Sequence, residues 1–155
     1  MPTHYQGSPE AQLALTTYIK LARAADSVSH RINAHLADVN LTISQFGVLE
    51  SLYHLGPMFQ KDLAAKILKS TGNITLVIDN LAKRGLVERV RSEQDRRYIR
   101  IHLTPTGETL IADFFPQHVD VVMREFAALT PEEQKILGKL SKKLGLGVDI
   151  PSPTE

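Results

Sequence analysis

QKDLAAKILKSTGNITLVIDNLAKRGLVERVRSEQDRRYIRIHLTPTG, running from Gln60 to Gly107, carries more structural information than any other part of the chain. It opens with an amphipathic segment in which Leu63, Ala64, Ile67 and Leu68 mark one apolar face. A break follows, and then a second helical pattern. Ser70 suits the N-cap, and Gly85 after Lys83-Arg84 is a stop signal with cations at the negative end of the helix dipole. Ile74, Val77, Ile78, Leu81 and Ala82 recur at helical spacing and define a buried face. Gly72, Leu76, Asp79, Asn80 and Lys83 lie opposite, with Asn73 and Thr75 at the edges. Leu76 near the centre of an outward face fits either apolar contact with a thymine methyl or packing against a neighbouring segment.

Beyond Gly85 the period changes from 3.6 to 2. In Tyr98-Ile99-Arg100-Ile101-His102-Leu103 the apolar residues alternate with polar ones, as in a half-buried strand. Arg91-Ser92-Glu93-Gln94-Asp95-Arg96-Arg97 is too polar to be buried and reads as a hairpin tip. Such a tip by itself is usually a solvated turn. Following two short helices, it completes a winged helix-turn-helix, which sets its second helix in the DNA major groove. An arginine at the tip then has access to the minor groove, where the negative potential is enhanced where it is narrow.

Leu63-Ala64, Leu81-Ala82-Lys83-Arg84-Gly85-Leu86-Val87-Glu88-Arg89, Asp95-Arg96-Arg97 and Leu103-Thr104-Pro105-Thr106-Gly107 together resemble the MarR family of bacterial transcription regulators. The resemblance spans nearly the whole chain in helix order. It implies a mainly α fold: a winged helix-turn-helix with a two-stranded β wing, carried between long N- and C-terminal dimerisation helices. It implies a homodimer on double-stranded DNA, an Asp95–Arg97 pair shaping the wing tip, and a small aromatic or phenolic effector. On this reading Lys61, Lys69, Ser70, Thr71, Gly72, Asn73, Thr75, Leu76, Lys83, Arg89, Arg91, Arg96 and Arg97 meet DNA, and Asp95 orients the wing. Tyr18, His30, Phe46, Tyr53, His54 and His118 are the candidate effector-pocket residues, with plain core packing as the alternative for the aromatic ones. Phe59, Gly72 and Leu76 depart from the family pattern, in which Ser/Thr, a small hydroxyl residue and arginine are common at those positions.

At 155 residues the chain suits one domain, divided as dimerisation helices at about 10–40 and 105–147 and a winged head at about 41–104. No apolar run reaches membrane-span length and no signal-peptide core is present, so a cytoplasmic location without membrane partners is expected. The absence of cysteine excludes disulfides, thiolate metal sites and the cysteine-based peroxide sensing of one branch of the family. The net charge of +1 conceals an asymmetry: residues 60–105 hold ten Lys/Arg against five acids, and the remainder holds eight against twelve. A basic segment in a near-neutral chain is the footprint of a polyanion partner.

The flanks are helical. From Ala11 to about Val39 an apolar stripe runs through Leu15, Tyr18, Ile19, Ala22, Ala25, Val28, Ile32 and Leu36, too long for a small head to cover. Thr42 and Gln45 form a capping box with Leu41 and Phe46 stapled across it, opening a helix expected to bury Phe46, Leu49, Leu52 and Tyr53 up to Gly56-Pro57. Met58-Phe59 reads as an extended link. After the wing, Thr104-Pro105 starts a helix to about Ala128, expected to kink near Pro116. A capping box at Thr130–Glu133 starts the last helix, with Ile136, Leu137, Leu140 and Leu144 on its buried face and Gly145 as stop. Met1 to about Pro9 and the tail to Glu155 read as loose arms.

Chemistry is absent from the motif inventory. There is no P-loop, no strand-borne GxGxxG, no GxSxG and no HExxH, so no enzyme and no cofactor are expected. His30 and His35 stand five apart, and the six histidines read as isolated residues rather than as a metal set. Two alternatives remain beside a DNA-binding repressor: a winged-helix protein-interaction module and a metal-responsive regulator. The arginine-rich wing weighs against the interaction module.

Overall fold

The computed structural model describes residues 3–147, without the Thr71 side chain. Helix α1 spans Pro9–Asn33 and starts two residues earlier than the apolar pattern suggests, because the Ser8 hydroxyl accepts from the Ala11 amide and Pro9 sits in the first turn. Its continuation to Val39 is a 3₁₀ helix, Ala34–Val39, ended by Asn40 in the left-handed region at φ 53°. Helix α2 (Ile43–Leu55) has the expected reciprocal capping box, Thr42 with Gln45. Strand β1 (Met58–Phe59), α3 (Gln60–Lys66), α4 (Thr71–Lys83), β2 (Val87–Arg91) and β3 (Ile99–Leu103) follow. Helices α5 (Pro105–Phe126) and α6 (Pro131–Leu146) complete the chain.

The wing has one strand more than expected. Met58-Phe59 is a strand, and it pairs antiparallel with β3 to give the order β1-β3-β2. Leu49, Leu63, Ile74, Ile78, Leu81, Ile101 and Ile111 are fully buried and form the centre of the core, so the head and the start of α5 share one apolar interior. Tyr53, expected inside, remains 38 % exposed because α2 turns its Val48–Leu49–Leu52 face inward instead. Leu68 is also misplaced by periodicity alone. Helix α3 closes at Lys66, Leu68 takes the left-handed position after it at φ 56°, and its side chain projects into solvent.

Helix α5 runs unbroken through Pro116, although the proline withholds one backbone donor, and it ends at Phe126. Helix α6 passes through Gly145 and is capped at Gly147, since a helical glycine costs only about 1 kcal/mol. The apolar face of α6 is real but uncovered: Ile136, Leu137, Leu140 and Leu144 are all exposed in the single chain. Helix α1 likewise buries no residue. The tail beyond Gly147 and Met1-Pro2 of the N-terminal arm lie outside the described residues.

One junction joins the head to α5. Recognition-type helix α4 ends at Arg84 and Gly85, the latter at φ 70°, with the Gly85 and Leu86 amides returning to the Ala82 and Leu81 carbonyls. Thr104 caps α5 by accepting from the Gly107 amide at 3.0 Å, and its hydroxyl donates to the Gly85 carbonyl at 2.6 Å. The Thr104 amide donates to the Leu86 carbonyl at 3.1 Å. Gly107 packs so closely that a Cβ there would overlap that same carbonyl oxygen. Gly107→Ala is expected to lower unfolding stability by about 2 kcal/mol or more, outweighing its gain in helix propensity. Urea denaturation of the two proteins measures this, and equal midpoints would show that the junction has room to spare.

Candidate nucleic-acid interface

Helix α4 presents the face that its sequence pattern describes. Ile74, Ile78 and Leu81 are wholly buried, while Gly72, Asn73, Thr75 and Leu76 look outward. Leu76 is 60 % exposed, so packing within its own chain does not account for it. Gly72 has open space around it. Ser70 uses its hydroxyl to accept from the Asn73 amide as N-cap, and Lys69 and Lys83 stand exposed at the two ends of the helix. Thr71 is the first residue of α4.

Behind this face lies a polar network that the sequence does not announce. The Arg89 guanidinium on β2 makes an ion pair with Asp79 at 2.7 Å and reaches the Thr75 carbonyl and the Gln60 amide oxygen, each at 3.4 Å. Gln60 in turn donates to the Thr75 hydroxyl at 2.9 Å. Arg89 is therefore a strut between β2, α3 and α4 rather than a cation held out into solvent. Arg91 is similarly turned back, donating to the Arg96 carbonyl across the hairpin.

The wing tip is held by Asp95. Its carboxylate accepts from Arg97 Nε at 3.0 Å and Nη2 at 2.7 Å, and from the Arg97 backbone amide at 3.0 Å. These bonds, the side-chain ones first, hold the Asp95 carboxyl below its usual range and raise Arg97 above its own. The pair leaves Arg97 Nη1 without a partner among the described residues. The Arg96 side chain is exposed and makes no hydrogen bond or ion pair among them. Lys61 stands exposed at the start of α3, its ammonium 5.9 Å from the Tyr98 ring centroid.

Four of the six residues proposed for an effector pocket come together. Phe46, Tyr53, His54 and His118 belong to a continuous row of rings with His35, Phe114 and Phe115. The row lies where the 3₁₀ helix, α2 and α5 meet. Tyr18 is far more exposed, 67 %, on α1, and His30 lines a separate recess of about 490 Å³ with Asp26, Asn33 and Leu41. Sequence reasoning missed His35, Phe114 and Phe115. The i, i+4 spacing of Phe114 and His118 was the available signal. At the centre, His118 Nδ1 and His35 Nε2 are 3.3 Å apart, while His35 Nδ1 is buried without a hydrogen-bond partner among the described residues. Among the described residues no group of three or more His, Cys, Asp or Glu is placed to hold a metal ion. No helix of the described residues is long and apolar enough to cross a membrane.

Burial, and then repulsion from His35, lower His118 from the ordinary histidine value of 6.5. The unfolded chain therefore binds more protons than the folded one below that value. The associated stability is complete above pH 6.5 and declines as pH falls through the depressed folded value. Chemical denaturation at about pH 7.5 and about pH 5.5 should show His118→Gln losing less stability on acidification than wild type. Equal losses would place the acid sensitivity elsewhere.

A family model described as MarR family matches residues 41–99. The chain is 34 % identical over 133 residues to the HTH-type transcriptional regulator MhqR of Bacillus subtilis, covering 86 % of this chain and 92 % of that one. Among solved structures it is similar to Sco3205, a MarR family transcriptional regulator from Streptomyces coelicolor in complex with DNA, at 25 % identity and a TM-score of 0.80 over 96 % of this chain and 94 % of that one. It is also similar to BpsR of Bordetella bronchiseptica, whose DNA binding is regulated by 6-hydroxynicotinic acid, at 26 % identity and a TM-score of 0.75 over 83 % and 98 %. A shared winged head, the Asp95–Arg97 wing clasp and this likeness along most of its length establish that the chain belongs to the MarR family.

Proposed function

We propose that the protein is a homodimeric, ligand-responsive transcriptional repressor that binds a pseudo-palindromic DNA operator. The observation that carries the reading is the outward face of α4, polar but for an exposed Leu76, set beside a basic wing in a chain similar to a regulator seen on DNA. In this reading α4 enters the major groove with Thr71, Gly72, Asn73, Thr75 and Leu76 toward the bases. Lys61, Lys69 and Lys83 meet phosphates, and Arg96 and Arg97 reach the minor groove. Arg89 and Arg91 support the surface more than they touch DNA, given the partners they already hold. Its role is regulatory rather than catalytic.

The division of labour follows the exposed apolar faces. Residues about 10–40 and 105–147 serve dimerisation, because α1 and α6 leave leucines and isoleucines that a second copy would cover. Residues about 41–104 form the reading head. The effector is a small aromatic or phenolic compound, supported by the ring row at the base of the head and by the 6-hydroxynicotinic acid named for BpsR. Phe46, Tyr53, His54 and His118 are the residues to test there. The ligand must bind free protein more tightly than DNA-bound protein to act as an inducer.

Footprinting on the DNA upstream of its own coding sequence should show two protected half-sites about 34–36 Å apart. Affinity should fall steeply with salt. Arg97→Ala is expected to weaken binding by about 1–3 kcal/mol, and Asp95→Ala by less in the same direction. A monomer by sedimentation at micromolar concentration, or wild-type affinity in both variants, would overturn this assignment.

A further inference from the structure

Phe59 occupies the N-cap position of α3, yet its side chain makes no capping hydrogen bond. It is engaged elsewhere. Phe59 lies directly opposite Arg100 in the β1–β3 pairing, so the two side chains share a face of the sheet. The Arg100 guanidinium lies 5.0 Å from the Phe59 ring centroid. The Tyr98 ring lies 5.6 Å from that of Phe59, tilted by 54°. The Lys61 ammonium, from the first turn of α3, lies 5.9 Å from the Tyr98 centroid. The order is cation, ring, ring, cation, which places a charge against the electron-rich face of each ring.

Tyr98 connects this stack to the wing tip through its backbone. Its amide donates to the Asp95 carbonyl at 3.0 Å, and its carbonyl accepts from the Ser92 amide at 3.0 Å. Asp95 is the residue that grips Arg97. An unbroken line of contacts therefore runs from the start of α3 to the arginines of the tip. A ribbon of two strands twists easily, and β1 adds only two paired residues to it. Arg89 ties β2 to α3 and α4, and the ring stack adds a second side-chain brace on β3, nearer the tip.

We propose that Phe59 and Tyr98, gripped between Arg100 and Lys61, are positioning residues that fix the angle of the wing tip against α3 and α4 and so set how strongly the tip engages DNA. This rests on the DNA-binding reading above. The brace does not read bases. It acts through Arg96 and Arg97, and its loss matters only while they are present.

The test uses the full chain and a labelled duplex recovered by selecting the wild-type protein on a random-sequence library. Tyr98→Leu and Phe59→Leu are expected to weaken binding about three- to tenfold, while Tyr98→Phe, which keeps the ring, stays within about twofold of wild type. In a background carrying Arg96→Ala and Arg97→Ala, Tyr98→Leu should cause no further loss, because the tip has nothing left to position. Equal loss in both backgrounds would overturn the proposal while leaving DNA binding intact. An unaffected affinity in the double-alanine background protein itself would overturn it too. A wild-type chain that recovers no duplex overturns the DNA-binding reading and this inference together. Should Tyr98→Leu fail to fold by circular dichroism, Arg100→Gln is compared with Arg100→Lys. Retained affinity with lysine alone supports the brace, and equal loss in both rejects it.

Discussion

The contact of Gly107 with the Leu86 carbonyl is the constraint on which the rest of the structure depends. Only a residue without a side chain lets α5 approach the end of α4 this closely. Thr104 seals the approach twice, as cap of α5 and as donor to Gly85. A loop of ordinary length would have allowed α5 to swivel. Here the last residues of α4, the Gly85-Leu86 pair that follows them and the cap of α5 are one hydrogen-bonded unit. The reading helix and the long helix therefore share a rigid corner, and Ile111 and Phe114 can extend the head's core along α5.

The basic surface of the head is smaller than its arginine content. Arg89 and Arg91 are spent on Asp79, Thr75, Gln60 and the Arg96 carbonyl. Arg84 donates to the Asn40 and Val39 carbonyls at 2.6 and 3.1 Å. These bonds desolvate little and cost little, being partly exposed, but they fix geometry. What remains outward is a smaller set: Lys61, Lys66, Lys69, Lys83, Arg96, Arg100 and part of Arg97. A local excess of charge in a sequence is thus an upper bound on what a polyanion can meet.

Local chemistry was legible from the sequence. Thr42–Gln45, Ser70, Thr104 and Thr130–Glu133 cap as their spacing implies, because capping involves residues three apart. The period-2 run of β3 and the buried face of α4 were equally readable. Failures cluster where a distant segment decides. Met58-Phe59 looks like a link until β3 offers it a partner. Leu68 fits an apolar period, but the turn closing α3 needs its backbone in the left-handed region. The leucines of α6 have the pattern of burial without a covering surface in one chain. Of the candidate pocket, Phe46 and His118 meet through folding, and nothing near either in sequence signals it. The Gln60–Thr75–Arg89–Asp79 network spans three elements and has no local signature at all.

Arg84 gives the first helix an unusual mechanical standing. It reaches from the end of α4 to the two carbonyls that terminate the 3₁₀ extension of α1, where Asn40 reverses the chain. Both bonds come from one planar guanidinium, which fixes the carbonyl pair in direction as well as in distance. The other attachment near the same end is the ring of His35, stacked on Phe114 and His118 of α5. The segment that carries α1 into the head is thus pinned to the end of α4 by Arg84 and to α5 by His35, while Arg31 and Glu125 tie α1 itself to α5. Arg84 therefore couples the position of this segment to the C-terminal end of α4, the helix that faces outward from the head.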